Sequence, residues 1–220
     1  MYDSAKELED SGIHLVSTDE MTGIQALERE HPDQPMRPEQ PARVEFEYER
    51  HGTLTLSANW HVALGEVVTP SIGPTRKECD FANHVANTIE TAPEDGWIFL
   101  VDQLNTHKSE SLVRLVAACC DIDNNLGVKG KSGILESMES RATFLSDSSH
   151  RIRFVYIPKH TSWLNQIECW FSILVRKLIR WGNFTYTDDL RWQILQFIDY
   201  FNCTMARPFQ WQFQGFRSRK

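Results

Sequence analysis

The sequence predicts an α/β domain built on a mixed sheet, with antiparallel hairpin strands followed by parallel strands and helices flanking both. Three observations carry this. Two compact apolar runs, Ile13–Asp19 and Trp97–Asp102, each close on an Asp, and runs of that length ahead of turn-type residues mark strands buried on both faces. Between them, Val44, Phe46 and Tyr48, then Leu54, Leu56, Ala58 and Trp60, recur at every second position, the period of a strand with one covered face. Later, Leu164, Ile167, Phe171, Leu174, Val175 and Leu178 recur at helical spacing, the stripe of an amphipathic helix.

Residues 1–12 hold four acids between Asp3 and Asp10 and read as an acidic linker or helix end. The first strand is Ile13–Asp19. Thr22–Ala42 carries four Pro and many charges and reads as a surface loop. The alternating strands follow, with His51-Gly52 as a turn or bulge between them, and Ala63–Glu66 as a turn before Val67–Thr69. Arg76–Glu90 is helical by the spacing of Phe81, Val85 and Ile89. The Trp97–Asp102 strand comes next. Asn105 or Thr106 caps a helix over His107–Cys120. A helix near Ile134–Leu145 and a strand at Ile152–Ile157 lead to Pro158. The striped helix runs from about Ser162 to Arg180, and Thr187-Asp188-Asp189 starts a last helix to Phe201. Residues 206–220 form an aromatic and basic tail, whose alternating Phe209, Trp211 and Phe213 suit packing on the domain, the favoured reading, or pairing as an edge strand or binding a partner.

The chemistry is suggested by acids next to apolar elements. Glu168 lies four residues after Leu164 and three before Phe171, so it shares the face of the apolar stripe. A carboxylate aimed at a core needs a partner or a metal. Asp19 and Asp102, at the ends of buried strands, stand where ligands commonly bind an open sheet. Taken singly, an Asp after a strand is ordinarily a turn residue or helix cap, and a Glu on a helix is ordinarily solvated. Three together would repel and raise one another's pKa values. A divalent cation relieves that repulsion, and hard oxygen ligands select Mg²⁺ or Mn²⁺.

The chain resembles the DDE transposases of the RNase H-like superfamily, in the bacterial insertion-sequence branch related to mariner elements. The resemblance rests on Ser17-Thr-Asp19-Glu-Met, Tyr48-Glu-Arg-His-Gly-Thr53, Val101-Asp102-Gln-Leu-Asn-Thr-His107, His160-Thr-Ser-Trp-Leu-Asn-Gln-Ile-Glu168, Phe201-Asn202 and Pro208-Phe209. It implies an RNase H-like catalytic domain over residues 13–205, with Asp19, Asp102 and Glu168 as the catalytic carboxylates and ligands of two Mg²⁺ or Mn²⁺ ions. It implies DNA strand cleavage and strand transfer, with transposon ends and target DNA as partners and a homodimer formed on them. A nuclease of the same fold without strand transfer, and an inactive domesticated DNA-binding remnant, are the alternative readings.

Composition agrees with a globular chain. Apolar residues make up 41% of the 220, no run approaches the roughly 20 residues of a membrane span, and the polar, acidic start is unlike a signal peptide. A cytoplasmic, nucleoid-associated protein is expected. The five Cys show no Cys-x-x-Cys pairing and read as reduced, mostly buried thiols. The net charge of −7 hides an asymmetry: residues 151–220 hold 11 Lys/Arg against 4 Asp/Glu, while residues 1–150 hold 12 against 26. Lys159, Arg176 and Lys177 fall in the basic part with Glu168, as phosphate contacts or as solvated cations near a helix end. Asn105 and His107 line the site or cap a helix. His160 touches DNA or fixes a turn, Trp163 stacks on a base or packs in the core, and Asn165 orients Glu168.

Two departures from the family pattern stand out. Sixty-five residues separate Asp102 from Glu168, where the pattern has about half that. The excess, at about 121–150, is an insertion between elements, suited to DNA contact through Lys129 and Lys131 or to dimer formation. Its Gly130-Lys-Ser132 is no phosphate loop, since Asn125 stands where Gly is required. Helix-turn-helix modules usually precede the catalytic domain, yet the first strand begins near residue 13. A separate helix-turn-helix polypeptide is therefore an expected partner.

Overall fold

The computed structural model describes residues 1–32, 34–122 and 125–210. Its elements are α1 (Ala5–Asp10), β1 (Ile13–Arg29), β2 (Tyr48–His61), β3 (Glu66–Gly73), α2 (Glu78–Ile89), β4 (Gly96–Val101), α3 (Glu110–Cys119), α4 (Met138–Leu145), β5 (Ile152–Tyr156), α5 (Ile167–Leu174) and α6 (Thr187–Thr204). The sheet order is β3-β2-β1-β4-β5. β1, β2 and β3 are antiparallel neighbours, whereas β4 runs parallel to β1 and β5 parallel to β4. This is the mixed, RNase H-like sheet expected from the sequence.

Alternation along the strands divides the core in two. Leu15 and Ile98 pack on one face with Ile167, Trp170 and Leu174 of α5 and Ile194 and Ile198 of α6. Val16 and Phe99 pack on the other with Val85 of α2 and Val113 of α3. Both faces of the central strands are covered, which explains their unbroken apolar runs.

Several expected boundaries move, each for a physical reason. The acidic start is not a bare linker: α1 seats Ala5 in the core, with Tyr2 and Leu8 packed against it. β1 continues through Arg29, because all four prolines of the supposed loop lie beyond His31 and Ile24 and Ala26 are buried against Leu54 and Leu56. Of the turn or bulge expected at His51-Gly52 the structure has the bulge: β2 is one strand, its register with β1 shifts between Thr53 and Arg50, and Gly52 has a φ of 123°. Val44 and Phe46 lie outside it and are exposed. Asn105–Lys108 forms a 3₁₀ turn, and Ser109 caps α3 by accepting the Leu112 amide at 3.2 Å. The striped helix is interrupted: a 3₁₀ turn at Ser162–Leu164, extended backbone at Asn165, then α5 and a π-helical turn at Val175–Ile179. None of the five thiols is buried; Cys79, Cys169 and Cys203 are exposed.

Part of the segment at 121–150 reaches the core. Leu135 and Leu145 are fully buried in the α2/α3 cluster. Arg141 donates to the carbonyls of Lys108 at 2.7 Å and Leu135 at 3.1 Å, so this segment braces the chain just after Asp102. In the tail, Phe209 stacks on Trp60 with ring centroids 4.3 Å apart, while Trp211 and Phe213 lie outside the described residues. Among the described residues no helix is long and apolar enough to cross a membrane.

Leu145→Ala should destabilise the protein by about 2–5 kcal/mol, read as a lowered urea midpoint, an effect a peripheral loop would not give. His84 is fully buried and hydrogen-bonds Ser71 through Nδ1 at 2.9 Å. Burial, helped by nearby His107, pulls it from 6.5 down to about 4. The unfolded chain therefore binds the extra proton between those values, and stability should fall as pH drops from about 6.5 towards 4. Denaturation midpoints measured across that range should fall less steeply in His84→Gln than in the parent.

Candidate active site on the central strands

β1 and β4 pair from Ile13↔Gly96 to Ser17↔Leu100 without a slip. Two residues further along the same register stand Asp19 and Asp102. Adjacent parallel strands lie roughly 4.8 Å apart, so the two acids emerge side by side. Alternation puts them on the face of Leu15 and Ile98, the face that α5 covers. Glu168, in the first turn of α5, is half-buried above them.

The charge of Asp102 acts on each of the other two acids. Burial, then the neighbouring charges of Asp102 and Glu20, push Asp19 up to about 7. Glu168 is raised by burial and by Asp102. Burial would raise Asp102 also, but hydrogen bonds from His107 and the Leu104 amide outweigh that and hold it below the usual carboxylate range. Among the described residues, Asp19, Asp102 and Glu168 do not form a group whose ligand atoms all lie within 4.8 Å of one another. Their hard oxygen donors nevertheless suit a divalent cation such as Mg²⁺ or Mn²⁺.

Two side chains hold the strand-borne acids. His107 Nδ1 lies 2.8 Å from Asp102 Oδ1, and its Nε2 lies 3.2 Å from Glu20 Oε2. Burial disfavours the His107 cation, but Asp102 and Glu20 overcome this and raise it to about 9, so both ring nitrogens donate at neutral pH. Its ring rests on Phe81, centroids 4.2 Å apart, and Tyr156 donates to its carbonyl at 2.8 Å. Asn165 donates to Asp19 Oδ2 at 3.2 Å and to the Thr18 carbonyl at 3.0 Å. It accepts from the Ser17 hydroxyl, which itself accepts the Ile167 amide at 2.9 Å. Asn165 therefore orients Asp19, where Glu168 was the expected partner.

The other expected residues divide. Arg176 is exposed and shares with Glu20, Glu168 and Phe171 a cavity of about 430 Å³. Lys177 is exposed one position further on. Lys159 is exposed at the mouth of the site and close enough to Lys108 to help lower its pKa, after burial. His160 is exposed in the turn after β5 with a φ of 63°. Trp163 is 45% exposed, so it is not a core residue. Asn105 is exposed in the turn beyond Asp102.

Two residues escaped sequence reasoning. Glu20 reads as the polar half of an alternating pair, yet its side chain is only 4% exposed; a buried acid next to Asp19 becomes visible only through His107. Lys108 lies over the Tyr156 ring at 4.8 Å and donates to Gln103 Oε1 at 2.6 Å, which sets a cation beside Asp102.

Comparison with known proteins extends the picture. A family model described as DDE superfamily endonuclease matches residues 14–191. No curated protein matches the chain. Two solved structures share the fold at 12% identity: the Mos1 mariner paired end complex with Mn, at a TM-score of 0.54, and a pre-cleavage Mos1 transpososome, at 0.51. Each alignment covers 90% of this chain and 54% of the other, so the chain spans about half the length of these structural relatives.

Asn165→Ala should cost about 1–3 kcal/mol, because it strips hydrogen bonds from groups buried beneath the site. Asn165→Asp should cost more at neutral pH, since it sets a second carboxylate against Asp19. Chemical denaturation of both variants beside the parent checks the order.

Proposed function

Given that the chain belongs to the DDE superfamily endonucleases, we propose that it is the catalytic domain of a DNA transposase. On this reading it cleaves DNA strands and transfers them with divalent metal ions. The observation that supports it most is the unslipped β1–β4 register, which brings Asp19 level with Asp102 beneath the helix that carries Glu168. Asp19, Asp102 and Glu168 would hold two Mg²⁺ or Mn²⁺ ions. Bound there, the ions would supply Lewis acidity for water or a 3′-hydroxyl to attack phosphorus and for the departing oxygen to leave.

The chain's own residues set the conditions. Asn165 fixes the Asp19 carboxylate, and His107 fixes that of Asp102 by donating to it and to Glu20 together. Lys108, Lys159 and Arg176 place positive charge around the acids, where a DNA backbone would otherwise meet only repulsion. Lys177, His160, Trp163 and Asn105 are exposed beside this surface and are proposed to contact the strand. Transposon ends and target DNA are the proposed substrates. Handling two ends together calls for a homodimer on DNA, and a helix-turn-helix polypeptide is the proposed source of end recognition.

Nicking of supercoiled DNA by the purified chain should require Mg²⁺ or Mn²⁺ and stop on chelation. Asp102→Asn, which keeps the side-chain shape, should lower the rate by roughly a hundredfold or more, as expected for a group acting at the reacting atoms. A variant that cuts as well as the parent would place the chemistry elsewhere. Joining of a pre-cut end to a plasmid separates strand transfer from hydrolysis alone.

A further inference from the structure

At the other end of the sheet, three side chains turn their ligand atoms toward one point. Glu9 comes from α1, His14 from the start of β1 and His61 from the end of β2. Glu9 Oε2 lies 2.9 Å from His14 Nδ1 and 3.2 Å from His61 Nε2. The two nitrogens are 3.4 Å apart, while the ring centroids are 5.5 Å apart with planes inclined at 66°. Both rings therefore direct a nitrogen inward.

We propose that Glu9, His14 and His61 form a binding site for a transition-metal ion of the Zn²⁺ class, separate from the DDE acids. Tetrahedral bonds of about 2.0–2.1 Å set neighbouring ligand atoms roughly 3.3 Å apart. The separations here run from 2.9 to 3.4 Å, and one ion reaches all three corners of so small a triangle. Two imidazoles and a carboxylate favour zinc and its first-row neighbours over Mg²⁺, which prefers oxygen alone. One coordination position is left for solvent.

The surroundings fit this use. His14 Nε2 faces Asp95 Oδ2 at 3.0 Å, the carboxylate pairing that orients a metal-bound imidazole. The His61 side chain is 4% exposed, that of His14 16% and that of Glu9 23%. Burial lowers the pKa of His61 against the pull of Glu9, which favours the neutral ring that ligates metals. The Leu64 amide lies 3.3 Å from His61 Nδ1. That long contact opens on binding, because metal at Nε2 leaves the imidazole proton on Nδ1. The ion would tie α1 to both strands of the hairpin. The same N-terminal segment carries Tyr2, whose hydroxyl donates to the Leu164 carbonyl at 2.7 Å and accepts the Gln166 amide at 3.3 Å just before α5.

The test uses the full chain, stripped by chelator and dialysed, then titrated with Co²⁺ in excess Mg²⁺. One Co²⁺ per chain with the intense visible absorption of tetrahedral coordination is expected, and Zn²⁺ should displace it. Glu9 is partly exposed on a short helix, so Glu9→Gln should fold, and it should abolish the absorption. Asp95→Asn should weaken Zn²⁺ binding about 10–100-fold, while Asp102→Asn should leave the spectrum unchanged. Weak octahedral absorption alone would overturn the site and leave Glu9, His14 and His61 as a hydrogen-bonded cluster. Absorption that survives Glu9→Gln and disappears in Asp102→Asn would overturn it too, by assigning the ion to the acids.

Discussion

The parallel register between β1 and β4 is the constraint on which the rest depends. Ser17 pairs with Leu100, and continuing that pairing delivers Asp19 beside Asp102. A slip of one residue would turn one acid to the opposite face of the sheet. The register is held by burial on both sides, because Leu15 and Ile98 serve one core while Val16 and Phe99 serve the other. A one-residue slip would send each of these side chains into the wrong layer. Hydrophobic packing thus forces together two carboxylates that electrostatics would separate, and the pKa of Asp19 is raised first by burial and then by the charge of Asp102.

The acids are not left to repel without support. His107 sets a buried cation between Asp102 and Glu20, and its position rests on Phe81 from α2 and Tyr156 from β5. Arg141 then pins the Lys108 carbonyl from α4. The segment at 121–150 therefore acts on the site mechanically, by fixing the turn that follows Asp102. Asn165 plays the matching part at Asp19. There the helical turn is broken, and the freed amide side chain bonds Ser17, Thr18 and Asp19.

Much of this was legible in the sequence because it depends on local pattern. The runs ending on Asp19 and Asp102, the alternating hairpin and the stripe containing Glu168 all report which faces are covered. What stayed hidden depends on contacts between distant segments. The break at Asn165 is invisible to periodicity, since the apolar spacing runs through it unchanged. Glu20 alternates away from Asp19 and looks solvated until His107, 87 positions later, is folded against it. The prolines between Pro32 and Pro41 coloured the reading of the whole segment from Thr22, although the strand ends before the first of them. Ser109 outcompeted Asn105 as the cap of α3, a choice that composition alone does not make.

The three acids also differ in how firmly they are held, and this bears on how they would work. Asp19 lies within β1 and Asp102 just past the end of β4, each fixed by named donors. Among the described residues no donor binds the Glu168 carboxylate, which projects from a helix that begins just after the break at Asn165. Two acids held by donors and one held by none are what like charge permits: a third carboxylate locked against the pair would add repulsion with nothing to offset it. Divalent cations held there, as proposed, would relieve that repulsion. A pair held by donors and a third acid held by none would therefore suit the proposed metal site, with Glu168 the carboxylate that no donor fixes in advance.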